Sequence, residues 1–305
     1  MDFIKRLKPT HLRLLLKIAE TGQLQIAASA MAMSQPAASR IIGDIEKQAN
    51  TALFHRSPKG MEPTPVGTAF IRHARGVVAE LDSLEKEVRD LTTGAAGEIR
   101  IGTVTGPAVG IVLPVLQEFR ESFPDTSVTI EVGPSTELVR GLDEGRFDFI
   151  VARIPAEQDS RDFMVHPGRS EDVQLVVRAS HPLVGRQGVT LDELRAYDWV
   201  IQERGSPIRL AVESAFHLAG VPVPHRIVNT SSLLVVESLL ATSDVIAPQS
   251  KEVCELLSRQ DFGAKLRILD INASMLVSPY FVVRNRGRHL PRAATMFFEQ
   301  VLKRL

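Results

Sequence analysis

Apolar residues recur at helical spacing from the start of the chain. Leu12, Leu15, Leu16 and Ala19 follow Pro9 and Thr10 and stop before Gly22, which predicts a first helix capped by Thr10 and ended by Gly22. A second, shorter helix is predicted over Leu24–Met31, where Ala27, Ala28 and Ala30 remove side-chain bulk and let another helix approach closely. After a tight turn at Met31–Met33, Ser34, Gln35 and Pro36 open a third helix with Ala37, Ile41 and Ile45 facing inward; Ser34 caps it and Pro36 is tolerated in its first turn. Leu53–Gly60 reads as a strand and a turn carrying the cations Arg56 and Lys59. From Thr64 and Pro65 a long helix is expected, with an apolar seam of Phe70, Val77, Leu81, Leu84, Val88 and Leu91, the last five alternating four and three apart. Charged residues between them (Arg72, Arg75, Glu80, Asp82, Glu85, Lys86, Glu87, Arg89) keep the rest of the helix wet. The seam therefore needs a partner, and a second copy of the chain suits it better than the body of the same chain. Thr93–Gly97 ends the helix as a hinge.

Beyond the hinge the pattern changes to short apolar runs alternating with amphipathic ones. Strands are expected at Glu98–Val104, Ser127–Val132 and Phe147–Ala152, with helices at Gly110–Phe123 and Thr136–Glu144. A second series runs through Val173–Arg178, Trp199–Gln202, Pro207–Ala219, Arg226–Asn229, Leu233–Ala241, Val245–Ala247 and Lys251–Ser258. The chain then returns through Pro279–Arg284 to a last helix at Pro291–Leu305. This alternation predicts an α/β architecture with parallel strands, folded as two lobes between which the chain crosses twice. Open sheets of this kind take ligands beyond the carboxyl ends of their strands. That rule selects Thr103, Thr105 and Gly106 after the first strand, Ser135 and Thr136 after the second, and Arg153 after the third. From the other lobe it selects Gln202, Arg204 and Ser206, then Thr230 and Ser231, then Ser243 and Asp244. Each hydroxyl alone can be a helix cap. Together, beside helix N-termini with spare N–H groups, they suit an anionic or hydroxyl-rich ligand.

Composition narrows the class. At 305 residues the chain exceeds what one core usually organises, so two or three domains are expected, and 44% hydrophobic with 24% charged residues describes a globular protein. The longest apolar stretch, Gly106–Leu116, is too short to cross a bilayer, and charge enters every turn of the N-terminus, so neither an export signal nor a span is expected and the cytoplasm is the expected location. The single cysteine, Cys254, excludes an intrachain disulfide and a multi-cysteine metal site. Eight scattered histidines show no zinc-ligand spacing, and no nucleophile elbow, Walker loop or GxGxxG is present, so no metal, cofactor or enzymatic activity is expected. A secreted solute-binding protein is a rival reading that only the larger half supports. The formal net charge is zero, yet residues 1–60 hold nine Lys/Arg against four Asp/Glu, and the remainder carries the compensating acidic surplus. A small basic domain on a mildly acidic body suits a protein that touches phosphate at one end.

The chemistry of that basic end is specific. A short helix, a tight turn and a second helix showing Gln35, Ser39 and Arg40 match what a recognition helix needs in a major groove, since Gln can pair with adenine and Arg with guanine. Arg56 and Lys59 would lie along the sugar-phosphate backbone or in the minor groove. The run Ala27-Ala28, Ser34-Gln35-Pro36-Ala37-Ala38-Ser39, Ile45-Glu46, Leu53-Phe54-His55-Arg56 and Thr64-Pro65-Val66-Gly67 resembles, in its usual order, the signature of LysR-type transcriptional regulators. The order of elements after it agrees too. Gln23 and Gln25 depart from the family's small hydroxyl residues, and Ile45 from its usual Leu. The expected DNA-binding set is Ser34, Gln35, Pro36, Ala37, Ser39, Arg40, Arg56 and Lys59, within and beside a helix-turn-helix at Gln23–Ile42. The resemblance implies a multidomain protein: an all-α winged helix-turn-helix at 1–64, a dimerisation linker helix at 65–92, a hinge at 93–97, and a two-lobed α/β effector domain at 98–305 resembling periplasmic binding proteins. Lobe I would cover about 98–170 and 272–305, and lobe II about 171–271. It further implies a homodimer through Phe70, Val77, Leu81, Leu84 and Val88, assembling to a homotetramer, with double-stranded DNA as partner. A small organic effector, carboxylate or sugar-like, would be held by Thr103, Thr105, Ser135, Thr136, Arg153, Gln202, Arg204, Ser206, Thr230 and Ser231. The first helix and the polar pocket resemble the subgroup around the galactose-binding-protein regulator, which makes a sugar or sugar acid the first ligand to try.

Overall fold

Pro9, whose ring pre-sets the helical φ, begins α1 (Pro9–Thr21). The cap lies two residues earlier than Thr10: Lys8 is extended and its N–H donates to His11 Nδ1 at 3.4 Å. Gly22 ends the helix in the left-handed region, as expected. α2 (Leu24–Ala30) and α3 (Gln35–Ala49) follow, joined by a turn in which Ala32 takes a positive φ and Met33 N–H returns to the Ala28 carbonyl at 3.0 Å. Ser34 caps α3 through its hydroxyl. The buried stripe of α3 is Ala38, Ile42 and Ile45; Ala37 and Ile41 are half-buried, one position off the expected face. These residues close a core with Leu14, Leu15, Ile18, Ala27, Ala28, Leu53, Phe54 and Met61. The strand and turn beyond it are a two-stranded wing, β1 (Phe54–Ser57) antiparallel to β2 (Gly60–Pro63).

The computed structural model describes residues 7–57, 60–93, 97–156, 160–259 and 265–305. Lys59 and most of the expected hinge, residues 94–96, lie outside them, as does the side chain of Leu91. α4 (Pro65–Thr93) is a single long helix. Its Ile71, Ala74 and Val78 are buried, the last two clustering with Leu12 of α1, whereas Val77, Leu84 and Val88 are 49%, 57% and 52% exposed. The helix thus has two apolar faces: Val77, Leu84 and Val88 lie on the one its own chain leaves open and Leu81 is half-buried, whereas Phe70, expected in the seam, packs against the cluster of Leu12, Ala74 and Val78, one turn closer to the domain core.

The chain divides into two compact units, Met1–Gly97 with the short segments Asp143–Arg146 and Asn285–Pro291, and the remainder from Glu98 onward. In the second unit, β3 (Glu98–Thr103) pairs in parallel with β4 (Ser127–Val132) and β5 (Phe149–Ala152). β13 (Phe281–Asn285) joins β5 antiparallel, and β6 (Phe163–Pro167) lies at the edge beyond it. The helical run after β3 is α5 (Thr105–Pro107), a π turn at Ala108–Val112 and α6 (Leu113–Ser122); Pro114 has no N–H for the i−4 bond, and the run loosens just before it. α7 (Ser135–Asp143) follows β4. In the other lobe, β7 (Glu171–Arg178) is the central strand, antiparallel to β10 (Ala247–Ser250), β11 (Leu266–Ile268) and β12 (Leu276–Val277). β8 (Trp199–Ile201) and β9 (Ile227–Asn229) are parallel to each other. α8 (Leu191–Leu194), α9 (Pro207–Leu218), α10 (Leu233–Thr242), α11 (Lys251–Leu257) and the final α12 (Arg292–Lys303) complete the unit. Trp199 and Phe216, edge to face at 5.7 Å, anchor the second lobe's main core.

The expected parallel pairing holds for β4, β3 and β5 and for β8 with β9, but β13 returns antiparallel to β5 after the second crossing, and β7 is antiparallel to β10, β11 and β12. The second crossing falls at Ser278–Tyr280, after β12, and not at 272. β10 occupies 247–250 rather than 245–247, a shift that matters for the site.

The joint between wing and long helix is tight. Thr64 Oγ1 donates to the Ala52 carbonyl at 2.8 Å and accepts from Gly67 N–H at 2.9 Å, capping α4 as expected. A Cβ at Gly67 would sit 1.9 Å from the Leu53 carbonyl oxygen. Gly67→Ala should therefore destabilise the protein by about 1–3 kcal/mol, because backbone and not a flexible side chain must yield. Thermal or urea melts followed by circular dichroism check this, and an unchanged midpoint would contradict the packing.

Candidate functional site

Two sets of polar side chains remain after the cores are closed. On the N-terminal domain, Gln35, Pro36 and Arg40 are exposed and Ser39 half-exposed at the N-terminal half of α3, while Ser34 Oγ accepts from Ala37 N–H at 3.4 Å. Arg56 is exposed on β1. The wing is fixed to this helix by Glu46, whose Oε1 accepts from Leu53 N–H at 2.8 Å and Phe54 N–H at 3.2 Å, and to α1 by Met61 N–H on the Gly22 carbonyl at 2.7 Å. Helix and wing thus form one rigid surface with exposed cations.

The second set gathers at strand ends of the larger unit. Thr105 is exposed at the first turn after β3. Ser135 Oγ accepts the N–H of Arg153 at 3.1 Å, tying the end of β4 to the end of β5, and Thr136 beside it is exposed. Across the crossings, Gln202, Arg204 and Ser206 follow β8, and Thr230 and Ser231 follow β9. Thr230 Oγ1 accepts from Ser232 N–H at 3.1 Å; the Ser206 hydroxyl is buried and has no partner among the described residues.

Four expected contacts change. Thr103 is fully buried with its hydroxyl donated to the Val104 carbonyl at 3.0 Å, so it supports the strand end and does not line a cleft. Arg153 is not an available cation: its Nη2 is bonded to Glu171 and its Nε donates to the Ser278 carbonyl at 2.8 Å. Ser243 and Asp244 precede β10 and so sit at its amino end; Ser243 Oγ donates to the Leu239 carbonyl at 2.7 Å, and Asp244 accepts from Arg178 Nε at 2.7 Å, which holds its carboxyl below the usual range. The residues at the carboxyl end of β10 are Gln249 and Ser250, both buried.

Four residues near these strand ends escape selection by pattern alone. Ser250 carries the same signal as Ser135 and Ser206, a hydroxyl between strand and helix, and is hidden by the shifted strand. Glu171 opens β7 and is buried; burial pushes its carboxyl above the usual range, with Arg153 pulling it down and Glu252 pushing it further up. Glu252 lies in the first turn of α11 with Oε2 buried and unpartnered among the described residues. Arg209, a buried cation in α9, donates to Glu213 at 2.7 Å, to the Gln202 carbonyl at 3.4 Å and to Asn229 Oδ1, and so binds the ends of β8 and β9 together. A groove of about 450 Å³ lined by Thr190, Leu191, Ala215 and Leu218 belongs to the other end of α9 and holds none of these groups.

A helix-turn-helix with a wing, followed by a long helix and a two-lobed α/β unit with polar strand ends, defines a class of ligand-responsive DNA-binding proteins. Residues 9–68 match the family model described as bacterial regulatory helix-turn-helix protein, lysR family, and residues 92–305 match the LysR substrate binding domain. The chain belongs to the LysR family of transcription regulators, with a DNA-binding domain and an effector-binding domain. It is 36% identical over 253 residues to the HTH-type transcriptional regulator GbpR of Rhizobium radiobacter, covering 82% of this chain and 84% of that protein. It is 32% identical over 295 residues to the GbpR of Azospirillum brasilense, covering 96% and 85%. Among solved structures, a full-length OxyR variant from Pseudomonas aeruginosa superposes with a TM-score of 0.63 at 19% identity, covering 97% of this chain and 94% of that one. Full-length CbnR complexed with its target DNA gives 0.58 at 21% identity, covering 98% and 100%. These likenesses bear out the family and the architecture expected from the sequence.

Cys254 is fully buried, and burial pushes its thiol up to about 12. In the native protein at pH 8 it should stay unreactive towards an aromatic disulfide reagent and release one equivalent of thiolate on denaturation. Prompt native reaction would show that α11 opens.

Proposed function

We propose that the chain is a cytoplasmic, non-enzymatic regulator that reads an operator with Gln35, Ser39 and Arg40 of α3 and touches the sugar-phosphate backbone through Arg56 and Lys59, the last lying outside the described residues, with Ser34, Pro36 and Ala37 completing the face at the start of the helix. The observation that carries this is the exposed polar face of α3 on a helix whose N-terminus is capped by Ser34 and whose wing is locked beside it. Arg40→Ala should cost about 1–3 kcal/mol on the operator and relax discrimination at one base pair, whereas Lys59→Ala should weaken all sequences alike. Fluorescence anisotropy on operator and random duplexes separates the two; equal losses for Arg40→Ala on both would sink the base-reading role.

The seam of α4 supports a homodimer with Val77, Leu81, Leu84 and Val88 as its contacts, Phe70 being packed against its own domain; two such dimers would form the tetramer. Leu84 and Val77 are about half exposed in the single chain, more than an apolar residue needs to be on a helix with a second buried face. Leu81→Asp with Leu84→Asp should reduce the sedimentation coefficient and abolish operator binding, because two half-sites need two tethered readers. An unchanged coefficient would mean that the seam packs within one chain.

The effector reading rests on strand ends: Thr105, Ser135 and Thr136 on one lobe, Gln202, Arg204, Ser206, Thr230 and Ser231 on the other, with Ser250 added. The effector acts through its different affinity for two conformations of the lobes, so a variant spoiled here would keep DNA binding and lose the response.

A further inference from the structure

Gly106, just beyond the end of β3 in one lobe, and Ser250, at the end of β10 in the other, face the same small space. Glu171 fills it. A Cβ on Gly106 would meet Glu171 Oε1 at 1.9 Å and Ser250 Oγ at 2.9 Å, so glycine is what admits the carboxylate. The other carboxylate oxygen, Oε2, accepts from Arg153 Nη2, and the side chains of Arg153 and Glu171 are only 13% and 7% exposed. The same edge of the Arg153 guanidinium is held by the Ser278 carbonyl, which accepts from Nε at 2.8 Å. The chain has thus seated a carboxylate of its own on Arg153, the guanidinium expected at the strand ends of this lobe; Arg204 stands at those of the other.

The groups left over point the same way. Ser250, 2% exposed, has a hydroxyl oxygen with no partner among the described residues, and so does Glu252 Oε2 close by. Arg153, Glu171 and Glu252 together carry one net negative charge. A second carboxylate brought here would meet two like charges and a cation already committed, in a site that water screens poorly. Hydroxyl groups would instead donate to Glu171 and Glu252 and satisfy Ser250.

Resting on the effector site proposed above, we infer that Glu171 is a specificity-determining residue: it takes the place of a ligand carboxylate on Arg153, so that the site admits neutral, hydroxyl-rich molecules and turns away their acid counterparts. Glu171→Gln keeps the size and shape of the side chain and releases the guanidinium. It should therefore invert the preference.

The test uses the full-length protein, with thermal shift and calorimetry at constant ionic strength. The probes are neutral hexoses and pentoses, the aldonates of the same carbon skeletons, and acetate as the simplest carboxylate. Aldonates and acetate should leave wild type unmoved and bind Glu171→Gln at least about tenfold more tightly than wild type, a gain lost again in the double variant Arg153→Gln, Glu171→Gln. Aldonates that bind wild type as tightly as they bind Glu171→Gln would overturn the inference. Should circular dichroism show that Glu171→Gln does not fold, wild type and Arg153→Gln decide: an aldonate bound by wild type and lost in Arg153→Gln overturns it, and a neutral sugar bound where its aldonate is not supports it. If the anion gain is seen and no neutral sugar binds, the hydroxyl-rich half of the inference fails while the cleft reading stands. Silence of every variant towards every probe overturns both.

Discussion

The two passages of chain between the lobes run side by side, and their backbones satisfy each other. Gly168 N–H donates to the Tyr280 carbonyl at 3.1 Å, Tyr280 N–H to the Arg169 carbonyl at 3.3 Å, and Arg169 Nε to the Tyr280 hydroxyl at 3.1 Å. Buried peptide groups at such a crossing must find partners, and the partners here are each other. The rest of the effector unit is arranged outward from that pair. Glu171 follows one passage directly, Ser278 begins the other, and Arg153 bonds to both. Arg153 therefore ties the strand ends of one lobe to the start of β7 and to the second passage at once.

Burying an ion pair at that point is a poor way to stabilise a fold. Desolvation of two charges offsets most of their attraction, and an apolar pair of the same volume would often do as well. The upward direction of the shift at Glu171 agrees, since burial, with Glu252 beside it, outweighs the help from Arg153. Its presence is better explained by what it does to the cleft: it sets the sign of the charge a ligand meets. Arg209 differs in kind, because its hydrogen bonds go to the ends of β8 and β9 and tie the two together.

The N-terminal domain solves a related problem at smaller scale. Three short helices bury little surface, and a domain of that size is marginal without further ties. The ties are polar and local: Glu46 onto the start of the wing, the Gly22 carbonyl onto Met61, Thr64 between Ala52 and Gly67. Each also fixes orientation, so the helix presented to DNA and the wing beside it move together, and the long helix leaves the domain at a set angle.

Short elements without a periodic signal, β6, α8, β11 and β12, were not legible, but the sequence by itself determined the helix-turn-helix, the long helix, most of the alternating strands and helices beyond it and the family. Those features are written in local periodicity, in caps such as Ser34 and Thr64, and in the left-handed turn at Gly22, all of which act within a few residues. The inward face of α3 was legible to within one position, because Ala37 and Ala38 give the pattern nothing to choose between. Tertiary structure alone decided which polar groups at the strand ends are available. Thr103 and Arg153 read as ligand contacts along the chain, and only the burial of Thr103 and the approach of Ser278 and Glu171 to Arg153 show them to be spent. Glu171 itself carries no sign in the run Gly-Arg-Ser-Glu-Asp that it will be buried, since its burial depends on a glycine 65 positions earlier and a serine 79 positions later. Ser250 was obscured for the same reason: the end of β10 is set by pairing with β7, not by its own residues.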